Sequence, residues 1–133
     1  MKITLLTVGK TDRDWVRQGL DIYVARLKHY IPFVMTEIPE LKNVSSLSTE
    51  QIKTKEGELI LKNIRPGEDV ILLDERGKQY TSVELAKVLQ DKITYVGKDI
   101  IFIIGGAYGF SDDVYNRANS KMSLSRMTFS HQM

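Results

Sequence analysis

Three groups of residues carry most of the chemical potential of this chain. The first is Gly105-Gly106-Ala107-Tyr108-Gly109, which follows the apolar run Ile100–Ile104. Glycines at a strand's end let the backbone turn sharply and come close to a ligand. The second is the run Leu124 to His131 near the C-terminus. His131 can exchange a proton near neutrality, or it serves as a structural residue or a phosphate contact. Arg126 can bind a phosphate or stabilise an anion, or it faces solvent. The third is Leu73-Asp74, an apolar strand end closed by a carboxylate that either takes a ligand hydroxyl or caps a turn. Beside them, Tyr108 suits base stacking or packing. Lys10 and Arg13 suit RNA phosphate or plain surface.

These residues need a frame, and the chain alternates strand and helix patterns. Lys2–Val8 reads as a strand closed by Gly9. Asp12 and Asp14 offer caps to a helix with Val16, Leu20, Val24 and Leu27 on one face. Trp15 reads as a core residue and His29 as a helix-terminus residue. Phe33–Ile38 is a second strand, followed by an irregular stretch, Leu41–Leu47. Ser48 and Gln51 have capping-box spacing, as do Thr81 and Glu84. Between those helices Val70–Asp74 is a strand, and Glu75-Arg76-Gly77-Lys78 reads as a turn. Ile100–Ile104 is an unbroken apolar strand of the kind buried on both faces of a parallel sheet. Ser111-Asp112-Asp113 caps a further helix, and Lys121–Ser125 is a short final strand. The order βαβαβαβαβ predicts one α/β domain with a mainly parallel sheet and helices on both faces.

Ligands of open α/β sheets bind beyond the carboxyl ends of the strands. The glycine motif fits no common phosphate-binding scheme. A P-loop needs Gly-Lys-Ser/Thr, whereas Gly109 is followed by Phe110-Ser111. A dinucleotide fold needs its glycines after an early strand and an acid about 20 residues further on. Here they follow the fourth strand, and the later stretch has no carboxylate. If the relevant strands are neighbours, Leu73-Asp74, Gly105-Gly106 and Leu124-Ser125 converge on one pocket. Bare glycine backbone and the apolar Leu73, Leu124, Met127 and Phe129 would suit an adenine or thioether group better than a polyphosphate. A side chain at Gly105 is then expected to occupy the ligand's space.

At 133 residues and 42% hydrophobic, the chain can build a sizeable core. It has no cysteine, which excludes disulfides and thiolate metal sites and points to a reducing, cytoplasmic setting. No export signal or membrane-length apolar run is evident. The net charge is only +2, but Arg117, Lys121 and Arg126 follow the last carboxylate, Asp113. That stretch is either an ordinary solvated surface or a local positive patch for an anionic partner.

Taken together, the motifs resemble the RlmH family of ribosomal RNA large-subunit methyltransferases, in the SPOUT class of trefoil-knotted enzymes. The resemblance runs from Met1-Lys2-Ile3 and Val8-Gly9-Lys10 through Lys55-Glu56-Gly57 and Leu73-Asp74-x-x-Gly77-Lys78. It continues in Ile103-Ile104-Gly105-Gly106-x-x-Gly109 and ends in Ser123-Leu124-Ser125-x-Met127-Thr128-Phe129-x-His131. It implies a knotted fold and methyl transfer from S-adenosylmethionine to N3 of a pseudouridine in helix 69 of 23S rRNA, in the assembled ribosome. It implies cofactor contacts at Leu73, Gly105, Leu124, Ser125, Arg126, Met127, Thr128 and Phe129, and a homodimer without metal. His131 and Arg126 are the candidate catalytic groups. Ser130 stands where the family usually has proline, and the family's further C-terminal helix and Tyr-His-His-like tail are expected beyond the position of Met133. The competing reading is a non-catalytic RNA- or ribosome-binding protein on the same scaffold.

Overall fold

The computed structural model describes residues 1–9, 11, 13–131 and 133. Lys10 and Asp12, read above as a phosphate contact and a helix cap, lie outside the described residues. The elements follow as β1 (Ile3–Val8), α1 (Asp14–Leu27), β2 (Phe33–Ile38), α2 (Thr49–Lys62), β3 (Asp69–Gln79) and α3 (Ser82–Asp91). After a π-helical turn (Lys92–Val96) come β4 (Ile100–Ile104), α4 (Asp112–Arg117) and β5 (Ser120–Ser123).

The strands form one sheet in the order β2-β1-β4-β3-β5, and every pairing is parallel. Ile104 pairs with Thr7 on one side and Leu73 on the other, and Leu73 pairs with Met122. The residues after Ile104, Leu73 and Met122 therefore lie side by side at one edge. No knot is visible among the described residues.

Strand side chains alternate between the two faces. Leu6, Val70, Leu72, Ile101 and Ile103 are buried with Ile60 of α2 and Val114 of α4. On the other face Ile71, Ile100 and Met122 pack with Leu85 and Leu89 of α3. Each fully buried Leu or Ile stabilises the fold by roughly 1.5–3 kcal/mol. Both expected capping boxes form, with Gln51 N–H donating to Ser48 Oγ (3.2 Å) and Glu84 N–H to Thr81 Oγ1 (3.1 Å). Gly57, an unpromising helix residue, lies where a side chain would collide with the Ser111 hydroxyl that caps α4.

Four expectations need correction. Residues 75–78 are not a turn: β3 runs on to Gln79 and pairs again with β5 through a register shift between Leu73 and Lys78. Gly77 permits this, because a Cβ there would lie 2.6 Å from the Met122 backbone nitrogen. Trp15 is 69% exposed rather than core, since α1 buries Val16 and leaves Ile22, Tyr23 and Leu27 exposed as well. Asp14 lies in the first turn of α1 rather than capping it; the cap position is Arg13, which makes no side-chain cap bond. The last strand covers Ser120–Ser123, so Leu124 and Ser125 are already loop.

Candidate active site

The fourth strand delivers Gly105 and Gly106 to the sheet edge, where they line a cavity of about 770 Å³. That volume lies within the ~300–1,000 Å³ of small-molecule sites. The glycines are required for a different reason from the one the sequence suggests. A Cβ on Gly105 would lie 2.9 Å from Phe110 Cε1, and one on Gly106 would lie 2.6 Å from Glu56 Oε1. Both directions are filled by the protein, and the cavity meets glycine backbone. Gly109, at φ +86°, closes the turn with its N–H donating to the Gly106 carbonyl (3.2 Å). Phe110 is then buried edge-on against Tyr115, with ring centroids 5.7 Å apart.

A second wall comes from the loop after β5. Ser125 N–H donates to Ser123 Oγ (3.1 Å), Met127 N–H donates to Ser125 Oγ (3.1 Å), and the Thr128 hydroxyl donates to Glu75. These bonds hold the backbone while its apolar side chains stay uncovered: Leu124 is 74%, Met127 70% and Phe129 46% exposed. Leu73, Gly105, Leu124, Ser125, Met127, Thr128 and Phe129 all line the cavity. Arg126 does not; it lines a neighbouring cavity of about 400 Å³ with Glu75, Arg76, Gly77 and Gln79.

His131 lines the large cavity too, and its Nε2 is buried without a hydrogen-bond partner among the described residues. Its ring also approaches Gly9, where the β1 chain ends. The two candidate catalytic side chains thus lie on different parts of the site. Tyr108 lines the cavity and is 52% exposed. Arg13 and His29 are exposed on or beside α1, away from the cavity.

The acid groups around the site were only partly visible in sequence. Asp74 accepts hydrogen bonds from the Tyr115 hydroxyl and from Arg76 N–H (2.9 Å), so it is engaged within the fold. Burial pushes its carboxyl up, but Tyr115 and Arg76 outweigh this and hold it below the usual range. Glu37 behaves likewise: Arg17, the Thr11 amide and the nearby His131 outweigh burial and lower it. Glu56 is pushed up, by burial first and by Glu40 second, and its Oε1 is buried without a partner. Sequence reasoning singled out neither Tyr115 nor the chemistry of Glu56; only the Lys55-Glu56-Gly57 motif pointed there.

Apolar side chains, glycine backbone and an orphaned imidazole nitrogen fit an adenine- and thioether-bearing ligand. Among the described residues no group of three His, Cys, Asp or Glu could hold a metal ion. None of the helices described is long and apolar enough to cross a membrane.

Comparison with known proteins identifies the family. The family described as "Predicted SPOUT methyltransferase" matches residues 1–133. A protein of Phocaeicola vulgatus is 54% identical over 133 residues, covering 100% of this chain and 85% of its own length. Proteins of Bacteroides fragilis and Parabacteroides distasonis are 53% and 52% identical over the same shares. Each of the three is named ribosomal RNA large subunit methyltransferase H. A methyltransferase draws on a methyl donor, and the large cavity is a place of suitable size and lining for one. This chain belongs to the SPOUT methyltransferase family.

Proposed function

We propose that the protein transfers a methyl group from S-adenosylmethionine to N3 of a pseudouridine in helix 69 of 23S rRNA, in the assembled ribosome. The observation that carries this reading is the cavity at the ends of β4 and β5 and the middle of β3, walled by glycine backbone and uncovered apolar side chains. The relatives' printed names supply the RNA class. In this reading Leu73, Gly105, Leu124, Ser125, Met127, Thr128 and Phe129 hold the donor, while Arg126, the remaining contact that the resemblance implies, lines the neighbouring cavity. The homodimer, the knot and a cytoplasmic location belong to the same proposal.

Bound donor supplies an electrophilic sulfonium methyl. The protein's part is to orient the reactants and keep water out. With the donor bound, its methyl would pass from sulfur to the pseudouridine N3, leaving the thioether, and the N3 proton would have to be taken up. His131 is proposed to take it: the residue lines the cavity, and its Nε2 is buried with no partner among the described residues. An unchanged single-turnover rate in His131→Ala would remove that role.

The assigned reaction is tested by mass mapping of 23S rRNA nucleosides from a strain lacking the gene. N3-methylpseudouridine is expected to disappear and to return on complementation. An unchanged level in the deletion strain overturns the assignment.

A further inference from the structure

Arg76 was hidden in what the sequence presented as a turn. In the structure it lies on the irregular second half of β3, and its position is set from below. Its guanidinium donates to the Tyr115 hydroxyl (2.8 Å) and sits 5.6 Å from the centre of that ring. Tyr115 in turn donates to Asp74, whose side chain is only 7% exposed. Lys121 Nζ lies 5.5 Å from the centre of the same ring. One tyrosine, anchored on a buried carboxylate, therefore holds two cations.

Arg126 lies near Arg76, whereas Lys121 lines neither cavity and is tied to Arg76 only through the Tyr115 ring. Arg126 shares the cavity of about 400 Å³ with Arg76, and that cavity is separate from the larger one though Arg76 and Glu75 border both. Among the described residues Glu75 is the one carboxylate in the smaller lining, and it accepts the Thr128 hydroxyl. Arg76 keeps 69% of its side chain exposed, so its remaining donors face outward. A planar guanidinium with a fixed orientation is well suited to a phosphate. Two guanidiniums against the Glu75 carboxylate favour an anion there.

Resting on the proposed rRNA reaction, we infer that Arg76 and Arg126 clamp a backbone phosphate of the RNA strand beside the target nucleotide, with Lys121 as a flanking cation for a neighbouring phosphate. Asp74 and Tyr115 are its positioning residues. The clamp sets where the strand crosses the rim of the donor cavity. It also gives an almost neutral protein a local electrostatic hold on RNA.

The test measures binding of ribosomes lacking the target methyl group across a KCl series, at fixed magnesium and saturating S-adenosylhomocysteine. Arg126→Gln and Lys121→Gln are the primary variants, because both side chains are exposed and their loss is compatible with the fold. Each lost phosphate contact should make the slope of log affinity against log salt shallower by about 0.7–0.9, and weaken binding roughly tenfold at low salt. Arg126→Lys should restore most of the slope. Equal affinity and slope in wild type and in the double variant overturn the clamp while leaving the methylation reading intact. Weaker S-adenosylhomocysteine binding with unchanged ribosome binding assigns the cavity to the donor instead and also overturns it. No ribosome binding by the wild type overturns the functional reading and the clamp together.

Discussion

On one wall of the large cavity, the space a side chain would take at Gly105 or Gly106 already belongs to Phe110 and Glu56. On the other, Leu124 and Met127 stand 74% and 70% exposed on a loop held by serine hydroxyls. The glycine wall is finished when the sheet and α2 have packed. The 124–129 wall has its backbone set but its apolar surface still open to water, a state that a bound ligand or partner relieves. Substitutions at the first wall should therefore be read mainly in stability, and substitutions at the second mainly in affinity.

The largest effect expected is that of Gly105→Val. Its branched side chain must displace the Phe110 ring, and overpacking of this kind costs about 1–3 kcal/mol. Denaturant unfolding should show the drop, and Phe110→Leu in the same chain should recover part of it. A Gly105→Val protein that unfolds at the wild-type midpoint would break the contrast, because the glycine wall would then be free space.

Tyr115→Phe probes the support of the same wall. It removes the hydroxyl that bonds Asp74 in a part-buried contact and Arg76 in an exposed one, at about 1–2 kcal/mol. Asp74 is held below its ordinary range, so its contribution is full above that range and is lost as pH falls through the folded value. The difference between variant and wild type should thus be greatest at neutral pH and shrink in acid. A pH-independent difference in unfolding midpoint would detach Asp74 from this network.

Leu124→Ala and Met127→Ala sharpen the other half of the comparison. Each should leave stability within about 0.5 kcal/mol of wild type, because the side chains are exposed. Each should weaken donor binding about tenfold, or ~1.4 kcal/mol. A clear loss of stability would show that this wall, too, is part of the folded core.

The smallest effect is expected from Glu56→Gln. Burial and Glu40 raise the Glu56 carboxyl, so its favourable contribution is present below the unfolded value and lost as pH rises through the folded one. Removing the charge should therefore raise stability at neutral pH and make no difference in acid. Parallel pH profiles of unfolding midpoint for the two proteins would contradict this.

Much of the frame was legible because it rests on local rules. The Ser48 and Thr81 capping boxes and the all-apolar Ile100–Ile104 run signal their elements through spacing alone. The convergence of Leu73, Gly105 and Leu124 required only that β4, β3 and β5 be neighbours, which they are. What stayed hidden depends on tertiary partners. Glu75-Arg76-Gly77-Lys78 has turn composition, yet β5 offers a second pairing that draws it into β3. Trp15 has the character of a core residue, but α1 turns little of its surface inward. Gly105 shows an absent side chain, and the sequence does not say whether a ligand or Phe110 needs the room.

The central claim is that these two unlike walls enclose a methyl-donor site. Titration calorimetry with S-adenosylhomocysteine, on the wild type and on a Leu124→Ala/Met127→Ala variant, tests it directly. The account predicts saturable binding of one ligand per chain by the wild type, and much weaker binding by the variant at an unchanged unfolding midpoint. No saturable binding by the folded wild type, or equal affinity in the two proteins, would contradict it.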